Sequence, residues 1–167
     1  MKKIKLTCNR YTIVDDEDFK FLNQWKWQYH TRYVNRTAYL GGGRKNAKHK
    51  FMTLHRVLME SYGYDLTGKE IDHINGNRLD NRKINLRIAT RSQNTRNSFM
   101  NRNNLSGYKG VTLHRKGKWK AKIQFNKKGI YLGLYDTPEE AAIAYNKAAK
   151  EYFGEFAKLN RCEIGGE

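Results

Sequence analysis

The sequence predicts an α+β protein built of small modules: a central strand, loop, strand, helix unit, and a C-terminal three-stranded antiparallel sheet packed on one helix. Three observations carry this. The run IDHINGNRLDNRKINLRIATRSQN sets two short apolar segments around Asn- and Gly-rich turns. The run TPEEAAIAYNKAA has the cap and spacing of a helix and follows segments that alternate like strands. The 167-residue chain is only 38% hydrophobic, which suits several small cores better than one large one.

Residues 1–52 form the first module. KIKLT and YTIV read as strands, Asp15-Asp16-Glu17-Asp18 as the acidic start of a helix, and Tyr33 to Leu40 as a further strand ending at Gly41-Gly42-Gly43. Trp25, Trp27 and Tyr29 alternate with Lys26, Gln28 and His30, which places three rings on one strand face. Rings that large are packing groups before they are base stackers. Auxiliary contact with a polyanion falls to Arg32, Arg36, Arg44, Lys45, Lys48 and Lys50.

Residues 53–98 form the central module. Thr53 to Met59 reads as a helix leading to Gly63, with Leu54, Val57, Leu58 and Tyr62 on a buried stripe. IDHI is then a strand, Asn75-Gly76-Asn77 and Asp80-Asn81-Arg82-Lys83 are turns, NLRIA is the return strand, and Thr90 caps a helix carrying Asn94 and Asn97. Each turn alone is ordinary turn chemistry. The combination is informative: Asp72-His73, Asn85 twelve residues after the His and Asn94 nine further on can serve one divalent metal and one general base. A nucleophile made from water near neutral pH needs a base such as imidazole, with an unperturbed pKa of roughly 6.5. A hard cation takes oxygen ligands and keeps several waters.

Residues 99–107 read as a polar linker, 108–160 as the third module and 161–167 as a tail. Arg96 and Arg102 are candidate phosphate contacts along the linker. In the third module Thr137-Pro138-Glu139-Glu140 is a capping box, and Ala141, Tyr145, Ala148 and Tyr152 recur at helical spacing. Trp119, Ala121, Ile123 and Phe125 alternate with Lys118, Lys120, Lys122 and Gln124, giving a sheet with one face for the helix and one basic face.

Lys and Arg total 33 against 16 Asp and Glu, a formal charge of +17 that calls for a polyanionic partner. No apolar run spans a bilayer and no basic amphipathic helix suits a membrane surface. The N-terminus lacks an apolar signal region, so a cytoplasmic location is expected. Cys8 and Cys162 stand far apart with no CxxC pair, so structural zinc is not expected.

The central module resembles the HNH (ββα-metal) homing-type endonucleases of phages. YKGV, GKWKAKI, YLGLYDTPEEAAIAYNKAA and FGEFAKLN resemble, in order, the AP2/ERF-like DNA-binding domain that one branch of that family carries at its C-terminus. The resemblance implies that His73 is the general base, that Asp72 and Asn94 hold Mg²⁺ or Mn²⁺, and that Asn85 fixes the loop between the strands. His55 takes the place of a second histidine near the phosphate. Over the AP2-like part it implies double-stranded DNA contacts by Lys109, Thr112, His114, Lys116, Lys122, Gln124 and Tyr131. Thr112 and His114 stand where plant AP2 domains use Arg, so their site preference does not transfer. The expectation is a monomeric, sequence-tolerant site-specific nuclease that nicks one strand. The competing reading is a non-catalytic DNA-binding regulator, and an RNA partner fits a sheet reader poorly.

Overall fold

Short alternating segments and Asn-rich turns divide the chain into many brief elements. The structure, a computed structural model, describes residues 1–41, 49–98, 103–115 and 117–162, so Arg44, Lys45, Lys48, Arg102 and Lys116 lie outside the described residues. The chain separates into two units, residues 1–91 and 92–167.

In the first unit, KIKLT and YTIV supply β1 (Lys2–Lys5) and β2 (Tyr11–Val14), antiparallel from Lys2 opposite Val14 to Lys5 opposite Tyr11. The acidic stretch begins α1 (Asp16–Leu22), where Asp16, Glu17 and Asp18 meet the positive end of the helix dipole. β3 (Gln28–His30), β4 (Tyr33–Tyr39) and β5 (His49–Thr53) form an antiparallel sheet in that order. The aromatic alternation overstates β3, because only Tyr29 of the three rings lies within it. Trp27 is wholly buried and donates its indole N–H to the Leu22 carbonyl at 2.8 Å, so its ring is tied to the end of α1.

α2 (Leu54–Ser61) follows β5 directly and turns Leu54, Val57, Leu58 and Met59 inward. β6 (Glu70–His73) and β7 (Leu86–Ala89) pair antiparallel, with a 3₁₀ turn at Lys83–Asn85 leading into β7. One core gathers Ile4, Val14, Trp27, Leu58, Ile71 and Leu86, so residues before and after position 53 share an apolar centre. β2 also lies along the β6–β7 loop: Ile13 N donates to Leu79 O and Asn81 N to Ile13 O, each at 2.8 Å.

The second unit takes in α3 (Arg91–Arg96) from Ser92 onward, then β8 (Val111–Leu113), β9 (Trp119–Phe125) and β10 (Lys128–Tyr135), an antiparallel sheet with β9 in the middle. α4 (Pro138–Phe153) packs on it and begins with the expected capping box. Ala141, Ala142, Ala148 and Ala149 let the helix approach closely, while Tyr145 and Phe153 fill the space toward β9. Phe153 completes the buried stripe, and Tyr152 stays half-buried against Phe125, ring centres 5.2 Å apart.

Lys109 Nζ donates to the carbonyls of Arg96 at 2.6 Å and Ser98 at 2.7 Å, which caps the end of α3. The Arg96 guanidinium lies over the rings of Phe125 and Phe153, 5.2 and 5.1 Å from their centres. Asn160 clasps the start of the sheet, accepting from Lys109 N at 2.7 Å and donating to Lys109 O at 3.0 Å.

Gly110 has φ +78°, and a Cβ there would run into the Tyr145 ring and the Lys122 carbonyl. Gly110→Ala is expected to destabilise the second unit by about 3 kcal/mol, through left-handed strain and displacement of Tyr145. Chemical denaturation followed by Tyr and Trp fluorescence checks this; a change within about 0.5 kcal/mol would refute the close approach.

Candidate active site

β6 and β7 place the chemistry by register. Asp72 stands opposite Arg87 and His73 opposite Leu86, and as neighbours on one strand Asp72 and His73 point to opposite faces. Both are 4% exposed. Arg87 was not among the expected site residues, yet it donates from Nε at 2.9 Å and Nη2 at 2.7 Å to Asp72 Oδ2. Its signal was available, since pairing IDHI with NLRIA sets this Arg across from this Asp.

His73 Nε2 stands 3.1 Å from Asn81 Oδ1. Asn81 thus orients the ring, while the Asn85 amide is committed elsewhere. Asn85 Oδ1 accepts from Asn75 N at 3.0 Å, and its Nδ2 donates to Asp80 O at 2.7 Å, which fastens one end of the loop to the other. The loop continues this economy. Asn75 and Asn77 each accept from the backbone N–H two residues on, at 2.7 and 3.1 Å. Asp80 receives the fork of Arg82 at 2.7 Å on each oxygen, which holds its carboxyl below the usual carboxylate range.

His55 is buried in the first turn of α2, with its ring edge against His73 (5.2 Å between centres) and its other side toward Tyr33 (5.3 Å). Its Nε2 lies 3.3 Å from Thr53 Oγ1. Burial, with the nearby charges of His73, Arg56 and Arg78, pushes its pKa down to about 3. Burial also lowers His73, opposed by its contact with Asn81 and the charge of Asp72. Two neutral imidazoles therefore lie side by side at neutral pH. Arg78, also absent from the expectations, lies over the Tyr33 ring 4.3 Å from its centre and brings positive charge to the pair. Arg56 is engaged by Glu60 at 3.1 Å and the Leu66 carbonyl at 3.0 Å.

Asp72, His73, Asn85 and His55 all belong to the first unit, where the rings of His55 and His73 meet, and Asn94 is half-buried on α3 in the second. Among the described residues no three His, Cys, Asp or Glu side chains gather as a metal cage. A cation at Asp72 would rest on few protein ligands, and a carboxylate with amide oxygens is a donor set that suits a hard divalent ion.

On the second unit's sheet, register puts Thr112 beside Lys120, Lys122 beside Tyr131 and Gln124 beside Gly129, all on the face away from α4. Thr112, Lys122, Gln124 and Tyr131 are exposed there, and half-buried Lys120 joins them. His114 sits past the end of β8, where its N–H bonds Lys118 O at 2.7 Å and its Nδ1 is shut from solvent. Arg96 and Lys109 spend their polar heads on α3 and the aromatic core, as described above.

Because the folded pKa of His55 lies below its unfolded value of about 6.5, the fold disfavours the added proton. Its contribution is whole above pH 6.5 and is lost as pH falls toward 3. Urea unfolding across that window should report a loss on the order of 5 kcal/mol, to which His73 adds in the same direction. His55→Gln should flatten the slope, and an unchanged slope would contradict the buried neutral ring. Arg87→Met strands the Asp72 carboxylate and should cost about 3–5 kcal/mol by the same measurement, whereas a loss under 1 kcal/mol would show the pair to be solvated.

Residues 53–96 match the family described as HNH endonuclease, and residues 106–155 match the AP2 domain. An uncharacterized HNH endonuclease of Acanthamoeba polyphaga mimivirus is 33% identical over 153 residues, covering 87% of this chain and 76% of that protein. APETALA2-like protein 2 of Oryza sativa subsp. indica is 49% identical over 57 residues, 33% of this chain and 13% of the rice protein. An AP2-like ethylene-responsive transcription factor of Arabidopsis thaliana is 51% identical over 59 residues, 34% of this chain and 17% of its own length. The plant proteins share one domain with this chain, but the viral one shares most of its length, and on that ground the chain belongs to the HNH endonuclease family, with an AP2 domain in its C-terminal part.

Proposed function

We propose that the chain is a divalent-metal-dependent, sequence-tolerant site-specific endonuclease of double-stranded DNA, of homing type, that nicks one strand as a monomer. The observation that carries the reading is a buried, neutral His73 adjacent in sequence to a buried carboxylate, on a hairpin whose loop is tied at both ends. Family membership and the +17 charge point the same way.

In this reading His73 takes the proton of the attacking water, its burial keeping the ring unprotonated and ready. Asp72 is the carboxylate ligand for Mg²⁺ or Mn²⁺, and the order of residues in the motif names Asn94 as the amide ligand. A cation held there would supply charge stabilisation to the phosphate and the leaving 3′ oxygen. Arg87 keeps the Asp72 carboxylate in one orientation. Asn85 acts through the loop, and His55 acts as a neutral wall behind His73. Arg78, half-buried near both histidines, would offer its guanidinium to the phosphate.

The outer sheet face of Thr112, Lys120, Lys122, Gln124 and Tyr131 supplies the DNA contacts, with Lys116 and Arg102 joining them on sequence grounds. One catalytic unit per chain accounts for one cut at a time.

Supercoiled plasmid carrying cognate sites, incubated with Mg²⁺, should convert to open circles and stop doing so on chelation. His73→Ala should slow conversion by about 10²–10⁴-fold with DNA affinity retained. Binding without cleavage by the unaltered chain would instead make it a DNA-binding regulator, and matched linear product from a monomer would overturn nicking.

A further inference from the structure

We infer that Thr12, on the N-terminal strand β2, is a positioning residue for His73: with Asn81 it forms a hydrogen-bond chain of one possible direction that sets the proton of His73 on Nε2 and its lone pair on Nδ1. This rests on the reading of His73 as general base.

The direction follows from groups that have no choice. A carbonyl only accepts, so the Thr12 hydroxyl proton goes to Leu79 O, 2.9 Å away. Thr12 Oγ1 then meets Asn81 as an acceptor, and the amide atom facing it at 2.8 Å is Nδ2. The same Nδ2 lies 3.3 Å from the Arg78 carbonyl, a second acceptor that agrees. The Asn81 oxygen is thereby turned to His73, and since an amide oxygen only accepts, the ring nitrogen 3.1 Å from it is the one bearing hydrogen.

Thr12 and Asn81 are each 0% exposed, so no bulk water stands ready to replace a lost partner. Reversing any link would set two oxygens or two N–H groups face to face in a dry interior. Thr12 is also held by more than its side chain, since Ile13 exchanges backbone bonds with Leu79 and Asn81. The N-terminal segment is therefore part of what prepares the base.

¹⁵N-NMR of the full chain near pH 7.5 without DNA reads the tautomer directly. The expected result is Nε2–H for His73 in the unaltered protein, and an Nδ1–H ring would overturn the inference whether or not any variant folds. Thr12→Val should mix or invert the tautomers and lower kcat roughly 10–100-fold at unchanged KM and DNA affinity. Thr12→Ser should restore both readouts. A Val variant that loses stability yet keeps the wild-type tautomer and kcat would reduce Thr12 to packing and overturn the proposal. Full cleavage by His73→Ala would remove His73 as the base, and the NMR result would still decide the hydrogen-bond chain separately.

Discussion

The first unit depends on satisfying polar groups inside the loop that joins β6 to β7. A loop normally gives its backbone to water. This one is pressed against β2 and the core, with Asp80, Asn81 and Asn85 all buried, and each unpaired group there would cost about 1–3 kcal/mol. Short amide and carboxylate side chains answer that demand because each offers its hydrogen-bonding atoms within reach of nearby backbone. The strand end carrying Asp72 and His73 inherits the rigidity. Ile74 N bonds Asn85 O at 2.9 Å immediately after the histidine, so the turn cannot fray without breaking the ring's own surroundings.

The charges divide by task. Asp72 and Arg87 neutralise each other in a nearly dry pocket, and the buried Asp80 is paired with a partly exposed Arg82. Pairing of that kind fixes geometry more than it adds stability. Much of the remaining positive charge lies exposed, as at Lys122 and Lys50, where it acts at range and is screened by salt. Short-range order at His73 and long-range attraction for a polyanion therefore come from different residues, and each can vary without spoiling the other.

The sequence was most legible where one period governs an element. The Ala-rich face of α4, the Lys-alternating face of β9 and the apolar stripe of α2 follow from spacing alone, and the capping box marks the start of α4 to the residue. It was least legible where a residue's role is assigned by a distant partner. Asn81 reads as one more turn asparagine until Thr12, 69 residues earlier, is set beside it. Arg96 reads as a phosphate contact along the linker and Lys109 as a DNA contact of the AP2-like part, and only the folded chain reveals the carbonyls and rings that engage them. Trp27 is the packing group that its size predicts, but the helix end that accepts its indole N–H is not announced by local spacing.

That last class of residue bears on where the protein can be divided. α3 has six residues and buries none of them fully, and a helix so short does not hold itself together in water. Within the second unit, the Lys109 ammonium on its terminal carbonyls and the Arg96 side chain laid across Phe125 and Phe153 support it. The HNH match ends at residue 96, whereas the structural boundary falls after residue 91. The helix therefore belongs by sequence motif to one domain and by packing to the other. A chain cut at the end of the motif would keep Asn94 but lose the cap and the aromatic bed that keep its helix wound. The AP2 part is thus more than an appendage to the HNH motif, because the fold uses its core to stabilise that motif's own helix.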